Sequence, residues 1–305
     1  MMRNLPEAEI ARVLNYENLI PAMERALTAF SAGEVVQPVR TILQVEEGRR
    51  FLGVMPAVTA NAMGAKLVCF YPGNVTAGLP THLATVILID PATGEPLACL
   101  DGRLITEMRT AAVSAAVTRC LAPASPRTLA LLGSGVQAQA HLEALRSLYR
   151  FEDVRVWSPN RAHAEEFAAK HACRTLEAED AVRGADIVVV ATSSRTPVLR
   201  GSWLKTGAHV NAVGACFPSW RELDDAALLG STLIVDSREA ALRESGDVIL
   251  SRAPIFAEAG ELFAGARRAP AGATTVFKSL GLAVEDLATA RLVYDLTGGA
   301  APSAR

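Results

Sequence analysis

The chain lacks the features that would place it in several large classes of protein. It has no Cys-x-x-Cys pair. Its five cysteines, Cys69, Cys99, Cys120, Cys173 and Cys216, are odd in number and far apart. That spacing excludes a zinc ribbon or a secreted disulfide framework, so no metal site is expected, and it fits reduced thiols in a cytoplasmic protein. Neither sign of charge is in excess, with 30 Lys plus Arg against 32 Asp plus Glu. A nucleic-acid or anionic-membrane partner would need an excess of basic charge. No apolar run is long enough to span a bilayer. The opening Met1-Met-Arg-Asn-Leu-Pro-Glu7 soon turns acidic, unlike a secretory leader. Repeats and low-complexity tracts are also missing.

Apolar residues, by contrast, are plentiful: half of the 305 are hydrophobic, enough for two domain cores. Ile10, Val13, Leu14, Ala22, Met23, Ala26, Leu27 and Phe30 recur at helical spacing. They predict one amphipathic helix over residues 7–31, broken near Pro21 and ended by Gly33. The period then shortens to two. Strands are expected at Val39–Val45, Phe51–Pro56, Ala65–Tyr71, Leu83–Asp90 and Pro96–Asp101, with a hairpin turn at Pro91-Ala-Thr-Gly94. Strand following strand without helices implies an antiparallel or mixed sheet, hence an α+β domain to about residue 110.

An Ala-rich helix, Glu107–Leu121, leads into a different pattern. Strands at Leu129–Leu132, Val154–Trp157, Asp186–Ala191, Ala208–Val213 and Thr232–Asp236 alternate with helices at Gln137–Leu148, Ala162–His171 and Ala178–Arg183. This βαβ order predicts a doubly wound parallel sheet of the Rossmann type. A last helix is expected over Leu282–Tyr294, and then a small polar tail, Thr297–Arg305, that frays.

The most informative stretch is Leu132-Gly-Ser-Gly-Val-Gln-Ala138, with Gly133, Gly135 and Ala138 at G-x-G-x-x-A spacing. Gly133 permits the tight turn, Gly135 admits a pyrophosphate to the backbone, and Ala138 lets the helix pack against the sheet. The strand before it and the helix after it are the context this fingerprint requires. An NAD site usually has an acid at the end of the second strand. Here that end reads Trp157-Ser-Pro-Asn-Arg161, with no acid. Ser158, Asn160 and Arg161 are suited to a 2′-phosphate, which favours NADPH while leaving NADH possible.

Three cations interrupt apolar stretches of the first domain: Arg40, Lys66 and Arg109. Arginine grips a carboxylate bidentately, and a lysine of lowered pKa exchanges protons. Taken singly, each is more often a salt-bridged or snorkelling residue. His82 alone reads as a structural residue more readily than as a catalyst.

The chain resembles the ornithine cyclodeaminase/mu-crystallin family over nearly its whole length. The resemblance lies in Val36-Gln-Pro-Val-Arg-Thr41, Lys66-Leu-Val68, Met108-Arg-Thr-Ala-Ala-Val-Ser-Ala115 and Leu132–Ala138. It continues in Asn211-Ala-Val-Gly-Ala215, Trp220-Arg-Glu-Leu-Asp-Asp225, Glu244-Ser-Gly-Asp-Val248 and Thr275-Val-Phe-Lys-Ser-Leu-Gly281. It implies a homodimer, with residues 1–112 and 280–305 as substrate-binding and dimerisation domain and 113–279 as dinucleotide-binding Rossmann domain. Arg40, Lys66 and Arg109 would surround a substrate carboxylate, Glu244 would border the substrate, and Thr81, His82 and Arg109 would lie near the nicotinamide. Ser134, Val136 and Gln137 would hold the pyrophosphate, with Asn160 and Arg161 near the adenosine ribose. Thr192, Ser193, Val213 and Ser279 would line the nicotinamide half.

One departure divides the family. Cyclodeaminases carry an aspartate shortly after the Asn-Ala-x-Gly motif, where this chain has Cys216. A thiol does not replace a positioned carboxylate base. The expected activity is therefore NAD(P)H-dependent reduction of a cyclic ketimine carboxylate of the pyrroline-2-carboxylate or piperideine-2-carboxylate type, giving an L-imino acid. The alternatives are an alanine or N-alkyl amino-acid dehydrogenase, a cyclodeaminase, which Cys216 disfavours, and a non-enzymatic binding protein.

Overall fold

The computed structural model describes residues 1–299. Of the tail expected to fray, residues 300–305 lie outside the described residues. The chain divides into two compact units, one of Met1–Arg109 with the described residues from Leu282 on, the other of Thr110–Gly281.

The first unit is built on a six-stranded sheet of β1 (Arg3–Leu5), β2 (Thr41–Glu46), β3 (Arg50–Val58), β4 (Met63–Phe70), β5 (His82–Ile89) and β6 (Pro96–Asp101), in the order β1-β6-β5-β4-β3-β2. The pairs from β2 to β6 are antiparallel, as their short connections require, and β1 joins parallel to β6. The sheet is thus mixed. Its parallel edge strand, three residues long, carries too little periodicity to be read from sequence.

Helices Glu7–Val13 and Tyr16–Ser31 replace the single helix expected over 7–31. The break falls at Asn15, not at Pro21. The Asn15 side chain accepts the Asn18 backbone N–H at 3.0 Å, and the Asn18 side chain reciprocates at 3.2 Å, so a capping box restarts the helix. Pro21 lies inside the second helix without ending it.

Helix Ala283–Leu296 packs on β3, β4, β5 and Tyr16–Ser31. Gly64 on β4 makes this approach possible. It has φ +154°, and a Cβ there would meet the Ile87 carbonyl oxygen at 1.9 Å and a Leu287 methyl at 3.2 Å. Residue 66 shares the face of residue 64, since a strand repeats every two residues. The helix that closes over Gly64 therefore also closes over Lys66.

The second unit carries eight parallel strands: β7 (Thr128–Leu132), β8 (Asp153–Trp157), β9 (Arg174–Thr175), β10 (Ile187–Val190), β11 (His209–Ala212), β12 (Thr232–Val235), β13 (Ile255–Glu258) and β14 (Thr275–Lys278). Their order is β13-β12-β14-β11-β10-β7-β8-β9. The chain winds one way from β7 to β9 and the other way from β10, so the switch point lies between β7 and β10. Leu129–Leu132 and Ile187–Val190 are wholly buried, as expected of central parallel strands covered on both faces. A buried polar network fastens helix residues Ser114 and Thr118 in this unit. His141 Nε2 lies 2.9 Å from Ser114 Oγ, and Asn211 donates to Thr118 Oγ1 at 2.9 Å. Among the described residues no helix is long and apolar enough to cross a membrane.

Candidate functional site

The first unit assembles a buried charge cluster at the junction of sheet and final helix. Lys66 projects from the middle strands, paired across to Met55 on β3 and Val86 on β5. Only 2% of it is exposed, yet its ammonium must be charge-balanced to stay ionised there. The first turn of helix Ala283–Leu296 supplies the balance. Lys66 Nζ lies 2.7 Å from Asp286 Oδ2. The other oxygen of that carboxylate accepts from Arg109 Nε at 3.1 Å, while Arg109 also donates to Glu285 Oε2 at 2.5 Å. One carboxylate thus bridges two cations. Burial pushes the Lys66 pKa down to about 8, Asp286 opposes that shift, and the Arg109 and Arg40 charges add to it. The three expected cations therefore act on one another as a group. Arg40 is half-buried.

Sequence reasoning missed Glu285 and Asp286. Their signal was the one that exposed Arg40, Lys66 and Arg109: charge inside an apolar stretch, here Leu282-Ala-Val-Glu-Asp-Leu287. His82 starts β5, stacks on Phe70 with ring centroids 4.5 Å apart, and holds Thr81 Oγ1 at 3.1 Å from Nδ1. Desolvation, then the Lys66 charge, lowers its pKa, which sets the imidazole in the electrostatic range of that lysine.

In the second unit the glycine fingerprint occupies the switch point. Gly133 has φ +118°, and a Cβ on it would meet the Ala191 carbonyl oxygen at 2.2 Å. The turn therefore requires glycine both for its backbone angle and for its contact with the neighbouring loop. Gly135 is the N-cap of helix Val136–Leu148, with no side chain capping it and open space where a Cβ would stand. The first N–H groups of the helix are left for a ligand, and Ala138 is fully buried against the sheet. This cradle fits a dinucleotide pyrophosphate. Ser134 and Gln137 are half-buried beside it and Val136 is exposed.

At the end of β8, Ser158 is half-buried. Asn160 caps helix Arg161–His171 by accepting the Ala162 N–H at 3.1 Å. Arg161 is exposed and pairs with Glu165 at 2.9 Å and Glu177 at 3.6 Å.

A second buried charge cluster, also missed, joins the ends of β10, β11 and β14. Glu222 Oε1 accepts both the Thr192 N–H at 2.7 Å and the Thr192 hydroxyl at 2.6 Å. That hydroxyl also accepts the Ser194 N–H at 3.1 Å. Glu222 Oε2 has no hydrogen-bond partner and lies against Gly214, where a Cβ would come within 2.3 Å of it. Lys278 donates to the Gly214 carbonyl and pairs with Asp247 Oδ2 at 3.1 Å. Asp247 Oδ1 closes the ring by accepting the Glu222 and Leu223 N–H groups at 2.8 and 3.0 Å. Val213 and Cys216 are half-buried next to this ring, and the Cys216 thiol faces the Val213 and Gly214 carbonyls. Ser193 is exposed. Ser279 is buried, with its hydroxyl 3.4 Å from Asp236 Oδ2. Glu244 is half-buried at the end of helix Arg238–Glu244. No group of residues that could hold a metal ion occurs among the described residues.

The fold and sequence have known relatives. The chain is 50% identical over 287 residues to the ketimine reductase mu-crystallin of Mus musculus, covering 91% of each chain. It superposes on Thermococcus litoralis Delta(1)-pyrroline-2-carboxylate reductase, solved with NADH and L-proline, with TM-score 0.92 and 36% identity over 97% of both chains. An archaeal alanine dehydrogenase dimer with bound NAD matches with TM-score 0.91 and 31% identity, over 97% of this chain and 96% of that one. The family match spans residues 1–300, and the chain belongs to the ornithine cyclodeaminase/mu-crystallin family.

Proposed function

We propose that this protein is an NAD(P)H-dependent reductase of cyclic ketimine carboxylates, of the pyrroline-2-carboxylate or piperideine-2-carboxylate type, yielding an L-imino acid. The observation that carries this reading is the buried Lys66–Asp286–Arg109 arrangement, in which a proton donor of moderated pKa and the Arg109 guanidinium share the Asp286 carboxylate, with the Arg40 charge in electrostatic range. Similarity to a ketimine reductase and to a pyrroline-2-carboxylate reductase supports it.

When bound, the reduced dinucleotide supplies the hydride. Arg40 and Arg109 orient the substrate carboxylate, which fixes the C=N carbon for attack. Lys66, with its pKa near 8, is largely protonated at neutral pH and close to the optimum for an acid that gives up its proton there. It holds the imine nitrogen in the iminium state. A proton required on Lys66 is present below pH 8 and lost above it, so reduction falls off on the alkaline side. His82 lies within the electrostatic range of Lys66, with Thr81 Oγ1 at its Nδ1.

Gly133, Gly135 and the first turn of Val136–Leu148 hold the pyrophosphate. The acid-free end of β8, with Ser158, Asn160 and Arg161, favours NADPH over NADH. Arg161→Ala raises KM for NADPH about fivefold, in line with loss of one exposed charged contact, and leaves KM for NADH unchanged.

The protein acts as a homodimer through the uncovered face of the first sheet. Leu43, Leu52, Cys69 and Leu83 form one row across β2–β5 on the face opposite Lys66, and Leu43, Leu67 and Leu83 are exposed there. A cytoplasmic location, expected from the scattered cysteines, belongs to the same proposal.

A substrate panel tests the reaction. NADPH oxidation is followed with pyrroline-2-carboxylate, with piperideine-2-carboxylate and with pyruvate plus ammonia or methylamine, and ammonia release is followed with ornithine and NAD. Highest kcat/KM with a cyclic ketimine is expected. Preference for pyruvate plus an amine would make the protein an amino-acid dehydrogenase, and tight NADPH binding without turnover a binding protein.

A further inference from the structure

The ring beneath Thr192 and Gly214 contains two acids and one base, and the mechanism above uses none of them. Asp247 and Lys278 pair with each other. Glu222 Oε1 is held by the backbone and hydroxyl donors of Thr192, and its second oxygen is buried without a hydrogen-bond partner. Thr192 and Gly214 follow β10 and β11, directly beside the switch point where the fingerprint loop sits. Ligands of doubly wound sheets bind outside these strand ends. A bound nicotinamide carries one positive charge when oxidised and none when reduced.

We propose that Glu222 discriminates between the two redox states of the dinucleotide, its ionised form favouring the oxidised nicotinamide and its protonated form the reduced one. The inference rests on the reading that the dinucleotide binds to the second unit.

The electrostatics of the pocket point the same way. The charged groups that act on Glu222 are Lys278 from β14 and Asp247 from helix Gly246–Ser251; its chain neighbour Arg221 is paired with Asp225 at 2.6 Å. Burial raises the Glu222 pKa to about 7, with Lys278 and the Thr192 donors opposing the shift and Asp247 adding to it. The carboxyl is therefore half ionised near neutrality. A cationic nicotinamide at the strand ends stabilises the carboxylate, so binding of the oxidised form expels a proton from Glu222 to solvent. By linkage, protonation of Glu222 weakens the grip on the oxidised form. Acidification then speeds release of the oxidised product and leaves binding of the reduced form unchanged.

Calorimetric titration of the full-length protein with NADP⁺ and with NADPH, at pH 7 in two buffers of different ionisation enthalpy, measures the proton release. NADP⁺ is expected to release roughly half a proton more than NADPH. The ratio of the Kd for NADP⁺ to the Kd for NADPH is expected to fall ~5-fold between pH 6 and 8. The 2′-phosphate is common to both ligands and cancels. Glu222→Gln keeps an acceptor for Thr192 and abolishes both effects.

Equal proton release by the two dinucleotides in the unaltered protein overturns the proposal, and so does an unchanged difference in Glu222→Gln. Either result leaves the proposed reductase standing. Failure of both dinucleotides to bind overturns the two readings together.

Discussion

Each unit of the molecule buries a lysine against an aspartate, and the two lysines respond in opposite directions. Lys66 lies 2.7 Å from Asp286, and Lys278 lies 3.1 Å from Asp247. Burial lowers both pKa values and the paired aspartate raises both. For Lys66 the neighbours beyond the pair are Arg109 and Arg40, and its pKa ends near 8. For Lys278 they are Cys216 and Glu222, and its pKa ends above the ordinary lysine value. The contact within the pair does not decide whether a buried lysine can exchange a proton near neutrality. The next ring of charges does. In the first unit that ring is cationic and suits an anionic substrate. In the second it is anionic and holds the Lys278 pKa above its ordinary value, while burial raises that of Glu222 to about 7.

The largest expected effect breaks the contrast at Lys66. Lys66→Met lowers kcat for ketimine reduction by roughly 10²- to 10⁴-fold, the usual contribution of a positioned acid. NADPH affinity, measured by fluorescence titration, stays within about twofold, because the glycine fingerprint lies in the other unit. A turnover loss below about tenfold would remove Lys66 from the proton step.

The next test exchanges the paired aspartates. Asp286→Asn removes a charge that raises the Lys66 pKa, so the alkaline limb of the kcat/KM profile moves to lower pH, by about one unit or more. Asp247→Asn leaves that limb in place. If both substitutions moved it equally, the two clusters would not be electrically separate.

The smallest effect is expected at Gly214. Ala there drives a methyl group into Glu222 Oε2 and the Thr192 carbonyl, at 2.3 and 2.4 Å before relaxation. Overpacking of this kind costs about 1–3 kcal/mol, read as a lowered Tm, with a few-fold weaker NADPH binding and an unchanged alkaline limb.

The sequence displayed these two regions unequally. The fingerprint was legible because it is local: Leu129–Leu132, the glycines and the following helix are contiguous, and each must be what it is for the turn to form. The three cations were legible as interruptions of apolar runs. Glu285 and Asp286 interrupt an apolar run in the same way, but their pairing with the cations was not legible, because they lie 176 and 177 residues beyond Arg109 and no periodicity links them. Glu222, Asp247 and Lys278 escaped for the same reason, being joined only by the sheet order. Local chemistry also displaced the expected helix break from Pro21 to Asn15, since a capping box sets a boundary more firmly than a proline close to a helix start. The two-residue strand β9, and the short helices between β11 and β14, fall below the length at which a period can be recognised.

The carboxylates that neutralise Lys66 and Arg109 leave the ribosome only after the whole of the second unit. Thr110–Gly281 is contiguous and can complete its parallel sheet during synthesis. The first unit cannot. Until residues 283–296 emerge, its sheet lacks the helix that covers Gly64, and two cations destined for burial have no counter-ions. The order of translation therefore imposes an order of assembly, with the second unit finished first and the Lys66–Arg109 cluster closed by helix Ala283–Leu296. Truncation before Asp286 leaves buried cations unpaired and is expected to yield an insoluble chain, even though most of the sequence has already been made.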